Sequence, residues 1–488
     1  IVSLCQIGVP ILAKKIGGTF ILRIEDTDQT RYVPGAEAYI IESLRWAGIV
    51  PMEGPGFGGA YGPYRQSDRK EIYLEYAQQL VDSGHGYYAF DTPEELDAVR
   101  KADENFKYDS KTRLKLKNSL TLSAEEVKRR LNAEEPYVIR LKVPEDQSIL
   151  IQDLVRDEVS FQSNELDDKV MLKGDGMPTY HLANVIDDRL MKITHVIRGE
   201  EWLPSTAHHV LLYRAFGWET DMARFAHLPL ILKPDGKGKL SKRDGFRLGI
   251  PVFPISWNGE TTEDSFIGFR EFGFDPRAMV NFMAFMGWNP GTEQEIFSMD
   301  ELAEAFTVEK IGKSGARFDF DKAKWFNQQY IMATPDADLA KTVRPIIEAH
   351  GHQPAEDFLR SFVGMMKERV VLFPDFWTNG AYFFEDFTVF DEATIRKKWK
   401  AEGSRAIFAP LVEQLEALSD YTATSVQTCV EAFTANAGLK FGDVLPILRV
   451  GLTGTMKGPA VFDMMALLGK AESRRRLERA FDLFDQVS

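Results

Sequence analysis

The sequence has little cysteine and no long hydrophobic run. Its two cysteines, Cys5 and Cys429, lie far apart and show no metal-ligand spacing. A disulfide framework and a cysteine-based zinc site are therefore not expected. The expected location is a reducing compartment, the cytoplasm. No stretch approaches the roughly 18 apolar residues that a membrane-spanning helix needs. The mildly apolar first residues lack a basic leader and a small-residue cleavage site, so no signal peptide is predicted.

Positive charge is also scarce, since 59 basic residues face 73 acidic ones and the formal net charge is −14. This balance argues against a protein that coats nucleic acid by bulk charge, although it leaves room for a local basic face. One loop runs against the trend. Residues 233–245, KPDGKGKLSKRDG, contain four lysines and one arginine but only two aspartates.

A chain of 488 residues is too long for one hydrophobic core, and its 44% hydrophobic and 27% charged content is ordinary for a globular protein. Residues 19–26, TFILRIED, follow a Gly-Gly pair and are predicted to form a buried parallel strand. The next segment has apolar residues at helical spacing and is closed by Gly48. Residues 1–50 are thus predicted to form a helix, a strand and a helix in this order, which predicts an α/β fold with a doubly wound parallel sheet.

The pattern of apolar, polar and charged residues changes three times along the chain. A charged helical segment is followed by YVIRLKVP and ILIQDLVRDEVSFQ, which alternate apolar and polar residues like antiparallel strands. The buried-strand pattern returns around PTYHLANVIDD and ITHVIRGEEW, and beyond residue 330 nearly everything is helical in pattern. These changes predict a Rossmann-like domain (1–86 and 176–250), an inserted α+β domain (87–175), a helical connecting domain (251–330) and an all-helical region (331–488).

Four interpretations compete for the basic loop. A Walker phosphate loop fails because Ser241 stands where its second glycine belongs. A nuclear-localisation patch fits poorly amid glycine and aspartate after a buried strand. A solvated flexible loop and a mobile anion clamp remain. In the clamp, glycines let the backbone move while Lys239, Lys242 and Arg243 face phosphate oxygens.

KLSKR in this loop resembles the Lys-Met-Ser-Lys-Ser signature of class I aminoacyl-tRNA synthetases. Further blocks, in order, are similar to bacterial glutamyl-tRNA synthetases from about residue 13 onwards: FILRIEDTDQTRYVPGAEAYIIESLRWAGI, GPYRQSDR, YVIRLKVP, GDGMPTYHLANVIDD, VIRGEEWLPSTAHHVLLYRAFGW and GARFDFDKAKWFNQQY. The resemblance implies ATP-dependent activation of L-glutamate to glutamyl-adenylate and its transfer to the 3′ end of tRNA(Glu). It also implies an inserted acceptor-binding domain and a C-terminal anticodon-binding region.

The resemblance assigns the ATP site to two segments. Lys242 would neutralise charge on the phosphates, with Lys239 and Arg243 assisting. Ser241 would either hydrogen-bond the nucleotide or shape the turn. Mg²⁺ would be bound mainly by ATP's own phosphates. The second segment would lie beside ATP and comprises Glu200, Glu201 and Trp202.

The resemblance assigns glutamate binding to four residues. Arg198 would bind the side-chain carboxylate, and its alternative is a structural ion pair with a nearby acid. Glu25 would hold the α-ammonium group. Tyr180 and Asn184 would line the pocket, although Tyr180 could equally be a core aromatic residue.

Three further expectations follow from the resemblance. The stretch before TPEEL, where some members hold zinc through cysteines, has Phe90 and Asp91, so no zinc is predicted. Arg369 is a weak candidate for an anticodon contact, with a surface helix charge as the alternative. A monomer is expected, since that is usual in the family.

One family signature is not found in the sequence. The His-Ile-Gly-His motif, with its preceding strand, would precede FILRIED by some twenty-odd residues, which reaches back past Ile1. CQIGVP contains Ile-Gly, but it lies too close to FILRIED and has no histidine, so it does not replace the motif. A sequence that starts within the gene, as its first residue Ile suggests, is the favoured explanation. The alternative is a catalytically impaired relative that acts as a tRNA-binding module.

Overall fold

The computed structural model describes residues 4–259, 261, 264–400 and 403–487, and the side chains of residues 4–6 and 31 lie outside this description. The prediction for Cys5 therefore concerns a side chain outside the described part. The helices of the first part of the chain are α1 (Leu4–Ile16), α2 (Ala36–Trp46), α3 (Lys70–Asp82), α4 (Pro93–Ala102), α5 (Ala124–Asn132), α6 (Tyr180–Leu190), α7 (Leu203–Ala215), α8 (Lys242–Leu248), α9 (Phe269–Phe272), α10 (Pro276–Ala284) and α11 (Met299–Ala305).

The strands and the remaining helices complete the description. The strands are β1 (Gly86–Ala89), β2 (Val138–Leu141), β3 (Ser148–Asp153), β4 (Asp157–Gln162), β5 (Val170–Leu172), β6 (His195–Gly199), β7 (Arg224–Leu228), β8 (Ile231–Leu232) and β9 (Ala316–Arg317). The later helices are α12 (Phe320–Ala333), α13 (Asp336–Ala349), α14 (Glu356–Met366), α15 (Asp375–Thr378), α16 (Glu392–Lys398), α17 (Ser404–Ala417), α18 (Ala423–Asn436), α19 (Phe441–Thr453), α20 (Val461–Leu468) and α21 (Lys470–Val487).

The chain divides into two compact units. The first comprises two segments, the chain up to Phe269 and Met279–Phe320. The second comprises Arg270–Ala278 and Asp321–Ser488. In the described part of the second unit, helices α13–α21 enclose a core of aliphatic and aromatic side chains such as Phe362, Trp399 and Phe481. The prediction of an all-helical C-terminal region is confirmed.

The first unit is organised around a four-stranded sheet with the order β4-β3-β7-β6. Strands β3, β7 and β6 are parallel, and β4 pairs antiparallel with β3 at the edge. Helices α6 and α7 pack together, and α7 packs on β3 over a core that includes Ile149, Leu182 and Leu212. Parallel strands with packed helices are the α/β arrangement that the sequence predicted. A second, antiparallel sheet has the order β1-β2-β5.

Two strand predictions are wrong. Residues 19–26 form isolated parallel bridges, Ile21 with Glu53 and Ile24 with Arg65, rather than a strand. Their partners lie in irregular loops, so the backbone pairs at single points only. The segment PTYHLANVIDD contains helix α6 rather than a strand, and the residues of this helix from Leu182 to Asp188 are buried. A helix that is hydrophobic on most faces cannot be told from a buried strand by periodicity alone.

The strands of the segment predicted as an insertion belong to two different sheets. Its antiparallel strands are confirmed, since β3 pairs with β4 from Ser148–Gln162 to Asp153–Asp157. However, β3 also pairs with β7, at Asp153 and Phe225. Residues 148–162 therefore share a sheet with β6 and β7, whereas the sequence placed them in the separate insertion 87–175. Backbone pairing between segments 70 residues apart carries no local sequence signal.

Three histidines lie where α6 and α7 pack together: the half-buried His181 on α6, and the buried His208 and His209 on α7. The ring nitrogens of His181 and His209 are 3.4 Å apart, and His208 lies 3.0 Å from the carbonyl oxygen of Asp167. Burial lowers the pKa of His181 to about 3 and also lowers the pKa of His208 and His209. All three are therefore neutral in the folded protein at neutral pH.

We expect the free energy of unfolding to fall as the pH drops below about 6.5. The unfolded chain protonates these histidines near that pH, whereas the folded chain resists protonation down to lower pH. Stability is thus lost by about 1.4 kcal/mol per pH unit for each such histidine. Urea midpoints between pH 7 and pH 5 measure this loss. His181→Gln should give a shallower pH dependence, and His85→Gln, at an exposed position, should leave the wild-type slope; equal slopes for all three proteins would contradict the assignment.

Candidate active site

A cavity of about 740 Å³ in the first unit brings together the residues predicted for glutamate binding. One wall is formed by the segment around Arg23 and Glu25 with helix α2, and another by β6 and the start of α6. Much of the lining is aliphatic. The polar residues among those that line it include Glu25, Tyr180, Asn184 and Arg198, so the structure places all four predicted glutamate-binding residues in one cavity.

Arg198 is held by hydrogen bonds to three neutral side chains. Its Nη1 donates to the Tyr180 hydroxyl (2.7 Å), its Nη2 to Thr206 Oγ1 (2.7 Å) and its Nε to His227 Nε2 (3.0 Å). Arg198 comes from the end of β6, where parallel sheets of this kind bind ligands. A structural ion pair, the alternative interpretation, is not what these contacts show. The guanidinium fork keeps its charge available for an anion.

Arg23, which also lines the cavity, is the centre of a polar network. Arg23 donates from Nη1 to Asp188 (2.8 Å) and from Nη2 to Glu25 (2.9 Å) and Asn184 Oδ1 (3.1 Å). Glu25 keeps 40% of its side chain exposed. Asn184 lies one turn after Tyr180 on α6, so both face the cavity. Sequence analysis missed Arg23 and Asp188, although Arg23 lies two residues before Glu25 in the same RIED motif.

The basic loop carries its cations beside acidic groups. Lys239 Nζ donates to Glu201 Oε1 (2.6 Å). Burial opposes ionisation of Glu201, but this hydrogen bond lowers the pKa of the carboxyl group below its usual range. Glu200 accepts from Arg156 Nη2 (2.6 Å) and from the Leu230 backbone N–H (3.1 Å). Glu200 is thus tied to the scaffold, whereas Glu201 contacts the loop.

Ser241 and Lys242 stand at the start of helix α8. Ser241 Oγ accepts from the Asp244 N–H (3.2 Å), and the Ser241 N–H donates to Asp244 Oδ2 (3.0 Å), which together form a capping box. Ser241 therefore shapes the turn before α8, and a hydrogen bond from it to the nucleotide stays a prediction. Arg243 is exposed, on the first turn of the same helix.

Lys242 contacts a hairpin whose two sides pair at Trp257 and Phe266. Its Nζ donates to the Asp264 carbonyl oxygen (2.7 Å) and lies 5.3 Å from the centre of the Phe266 ring. Trp257 pairs with Phe266 across this hairpin, and Tyr39 of α2 packs edge-on against both rings. The hairpin is therefore anchored on α2 by aromatic contacts.

Trp202 forms the edge of the cavity. Its ring lies 4.8 Å from that of Tyr180, and 42% of the residue is exposed. An exposed indole beside a cavity can stack on a flat ligand ring. This position is compatible with the predicted place beside ATP, which stays a prediction.

In the second unit, Arg369 lies at the end of a short 3₁₀ helix, and 38% of its side chain is exposed. Burial, together with the positive charge of Arg369, lowers the pKa of the half-buried Arg449. Arg449 Nη1 is buried and has no hydrogen-bond partner among the described residues. Arg369 therefore repels the charge of Arg449, while its own Nη1 lies 3.8 Å from the carboxylate of Glu368.

The described residues contain no group of three or more His, Cys, Asp and Glu side chains that could hold a metal ion. In the stretch where the sequence predicted no zinc, Asp91 accepts from the Tyr108 hydroxyl (2.9 Å) and the Lys117 backbone N–H (2.9 Å). Phe90 is buried. Among all the residues that the structure describes, no helix is both long and apolar enough to cross a membrane.

Comparison with known proteins gives matches over nearly the whole chain. Residues 11–325 match the model for tRNA synthetases class I (E and Q), catalytic domain, and residues 338–481 match the model for an anticodon binding domain. A glutamate–tRNA ligase of Parabacteroides distasonis is 50% identical over 97% of this chain and 94% of its own length. One of Cytophaga hutchinsonii is 50% identical over 96% of this chain and 92% of its own length.

Solved structures agree with these sequence matches. A glutamate tRNA ligase from Elizabethkingia meningosepticum, in complex with its amino acid, superimposes with a TM-score of 0.94 at 45% identity. The glutamate-tRNA synthetase of Elizabethkingia anophelis gives a TM-score of 0.91 at 45% identity, and each comparison covers 99% of this chain and 97% of the other. The chain therefore belongs to the class I glutamyl- and glutaminyl-tRNA synthetase family, with its catalytic and its helical anticodon-binding domains.

Proposed function

We propose that the protein is a glutamate–tRNA ligase, which activates L-glutamate with ATP and transfers the glutamyl group to the 3′ end of tRNA(Glu). The observation that carries this proposal is the cavity in which Arg198 and Glu25 lie together. A cation and a carboxylate in one cavity suit an amino acid whose side chain is anionic and whose α-amino group is cationic. The names of the similar proteins support the same activity.

The proposed binding mode uses the fixed orientation of Arg198. Three of its five N–H donors have short partners in the protein, which leaves donors for the substrate's side-chain carboxylate. Glu25 accepts from the α-ammonium group, and Tyr180 and Asn184 close the pocket. Glutamine would present an amide to the same fork and lose the charge-assisted hydrogen bonds.

The reaction itself needs no protein nucleophile. The α-carboxylate of glutamate attacks the α-phosphorus of ATP, pyrophosphate leaves, and a ribose hydroxyl of the terminal adenosine of tRNA then displaces AMP. Lys242, assisted by Lys239 and Arg243, stabilises negative charge on the phosphates. To do so, Lys242 exchanges the Asp264 carbonyl oxygen, and Lys239 exchanges Glu201, for phosphate oxygens. Mg²⁺ enters with ATP, bound mainly by the phosphates.

We further propose that each of the predicted segments outside the Rossmann-like domain has its own role in binding the tRNA. Residues 87–175 would bind the acceptor end, 251–330 would connect, and 331–488 would bind the anticodon. The match of 338–481 to an anticodon-binding domain supports the last assignment. Arg369 is the proposed anticodon contact, and the neighbouring Arg449 adds to the positive charge there. The protein would act as a monomer in the cytoplasm, where translation takes place.

The test is an exchange of labelled pyrophosphate into ATP, made with the protein encoded by the complete gene. We expect exchange that requires L-glutamate and tRNA, with neither L-glutamine nor L-aspartate able to replace glutamate. Labelled glutamate should then be transferred to a tRNA(Glu) transcript. Charging of tRNA(Gln), measured in parallel, defines the tRNA specificity. Binding of tRNA(Glu) without any glutamate-dependent exchange would contradict the proposal and favour the tRNA-binding module.

A further inference from the structure

Arg198 is held from behind by a buried pair that does not line the cavity. His227 Nε2 accepts from Arg198 Nε at 3.0 Å, and His227 Nδ1 lies 2.6 Å from Asp153 Oδ2. His227 is fully buried and Asp153 is 5% exposed. Neither belongs to the residues that line the cavity in the described part of the chain. Any effect of this pair on the polar residues of the cavity therefore passes through Arg198.

The contacts determine which ring nitrogen of His227 carries the proton. A guanidinium group has N–H donors and no acceptor, so Nε2 must present its lone pair to Arg198. The proton then lies on Nδ1, which donates to the Asp153 carboxylate. Burial opposes ionisation of Asp153, but hydrogen bonds from His227 and from backbone N–H groups lower the pKa of this carboxyl group. An ionised Asp153 thus fixes the tautomer that Arg198 requires.

The sheet makes this chain of contacts rigid. Asp153, His227 and Arg198 lie on the neighbouring parallel strands β3, β7 and β6, and Arg198 stands directly opposite His227 in the register. Asp153 Oδ1 is fixed as well, because it accepts from the backbone N–H groups of Val155 (2.9 Å) and Arg156 (2.8 Å). No flexible loop lies between the carboxylate and the guanidinium group.

We propose that Asp153 and His227 are positioning residues that determine the selection of glutamate by fixing the tautomer of His227 and, through it, the orientation of Arg198. This inference rests on the proposed function, since Arg198 is there the group that binds the substrate's side-chain carboxylate. If the guanidinium fork rotates away, the donors that distinguish a carboxylate from an amide no longer converge on it. Lys239 and Lys242, the proposed phosphate-binding residues, contact Glu201 and Asp264 instead, so we expect the KM for ATP to depend little on this chain of contacts.

The decisive variant is Asp153→Asn. The oxygen of the asparagine is retained at the Oδ1 position by the backbone N–H groups of Val155 and Arg156, so its NH₂ group faces His227 Nδ1. The histidine must then accept at Nδ1 and carry its proton on Nε2, where it meets the N–H of Arg198 donor to donor. In metal sites, loss of a residue that orients a ligand in this way typically lowers the affinity for the metal by about 10- to 100-fold, and we take the same range for Arg198 and glutamate.

We therefore expect the KM for glutamate in pyrophosphate exchange to rise about 10- to 100-fold in Asp153→Asn, with the KM for ATP within about twofold of the wild type and weaker discrimination against glutamine. Labelling with ¹⁵N-histidine should show the proton of His227 on Nδ1 in the wild type and on Nε2 in the variant. A merely structural role would not move the proton between these two nitrogens.

Asp168→Asn is the matched control. Asp168 is also a fully buried aspartate of the first unit, and it accepts from the Tyr87 hydroxyl (2.6 Å) and the Val143 backbone N–H (3.0 Å), away from Arg198. We expect this variant to lose thermal stability while its KM for glutamate stays at the wild-type value. A second pair, His227→Gln and His227→Leu, tests the acceptor, because only glutamine can offer an oxygen to Arg198 Nε. Glutamine should restore part of the glutamate affinity that leucine loses.

Three results would overturn the proposal: a wild-type His227 protonated on Nε2, a folded Asp153→Asn protein with unchanged KM for glutamate, or equal defects in His227→Gln and His227→Leu. Failure of the proposed function is distinguishable, because it appears as absent glutamate-dependent exchange in the wild type. The tautomer measured by ¹⁵N resonance needs no turnover, so it reports on the Asp153–His227 contact in either case.

Discussion

Replacing Arg198 with glutamine is expected to lower kcat/KM for glutamate by about 30-fold to several thousandfold, because truncating one partner of a buried charge pair costs about 2–5 kcal/mol. Arg198 is the cation that three neutral side chains orient at the end of β6. Without it, the substrate's carboxylate would enter the cavity unpaired. Glutamate-dependent pyrophosphate exchange at several substrate concentrations measures the effect.

The control for Arg198→Gln is Arg214→Gln in the first unit. Arg214 lies on α7 and pairs with Glu219 through Nε (3.0 Å), with 35% of its side chain exposed. Exposed ion pairs contribute only about 0–1 kcal/mol to stability, so this change should leave glutamate kinetics near the wild type. Wild-type kinetics in a folded Arg198→Gln protein would refute the assignment of Arg198. A loss of the same size in both variants would also do so.

Replacing Lys242 with alanine is expected to lower kcat for pyrophosphate exchange by about 100- to 1,000-fold, which is the usual effect of removing one charge-stabilising donor from a transition state. The KM for glutamate should change little, since Lys242 contacts the hairpin at Asp264 and is not among the residues that line the glutamate cavity. Lys242→Arg keeps the charge and should retain part of the rate.

Lys237→Ala provides the matched control within the same loop. Lys237 is exposed, and its backbone N–H, which the substitution keeps, donates to Asp235 Oδ1 (2.9 Å). If the loop acted by its overall positive charge, the two alanine variants would show similar losses. We expect Lys237→Ala to stay within about threefold of the wild type, as surface charges well away from a reacting group have small effects. Similar losses would replace the assignment of Lys242 with bulk attraction of ATP.

Much of the site could be predicted because its residues lie in short motifs. Glu25 stands in RIED, Arg198 to Trp202 in RGEEW, and Lys239 to Arg243 in KLSKR, each in a few consecutive positions. Such motifs fix which residues lie on one turn or at one strand end. They cannot show which residue of another segment each one contacts, and Glu201 with Lys239 is such a contact.

The wrong predictions have the same origin. Residues 19–26 have the composition of a strand, but a strand requires a partner of regular extended backbone, and theirs lie in loops. Helix α6 is buried from Leu182 to Asp188, on all of its sides, so its apolar residues do not follow the spacing of a one-sided helix. The pairing of β3 with β7 was not predicted, because it joins residues that are far apart in sequence.

The sequence by itself determined the α/β class, the helical C-terminal region and the family, and it singled out four polar residues that line the cavity, Glu25, Tyr180, Asn184 and Arg198. Periodicity and consecutive motifs are local properties, so they can be read without knowing the fold. Only the tertiary structure decided that Asp153, His227 and Arg198 form one chain of contacts across three strands, and that Lys242 lies on the hairpin at Asp264. These residues are brought together by sheet register and packing, which depend on the whole core rather than on neighbours in sequence.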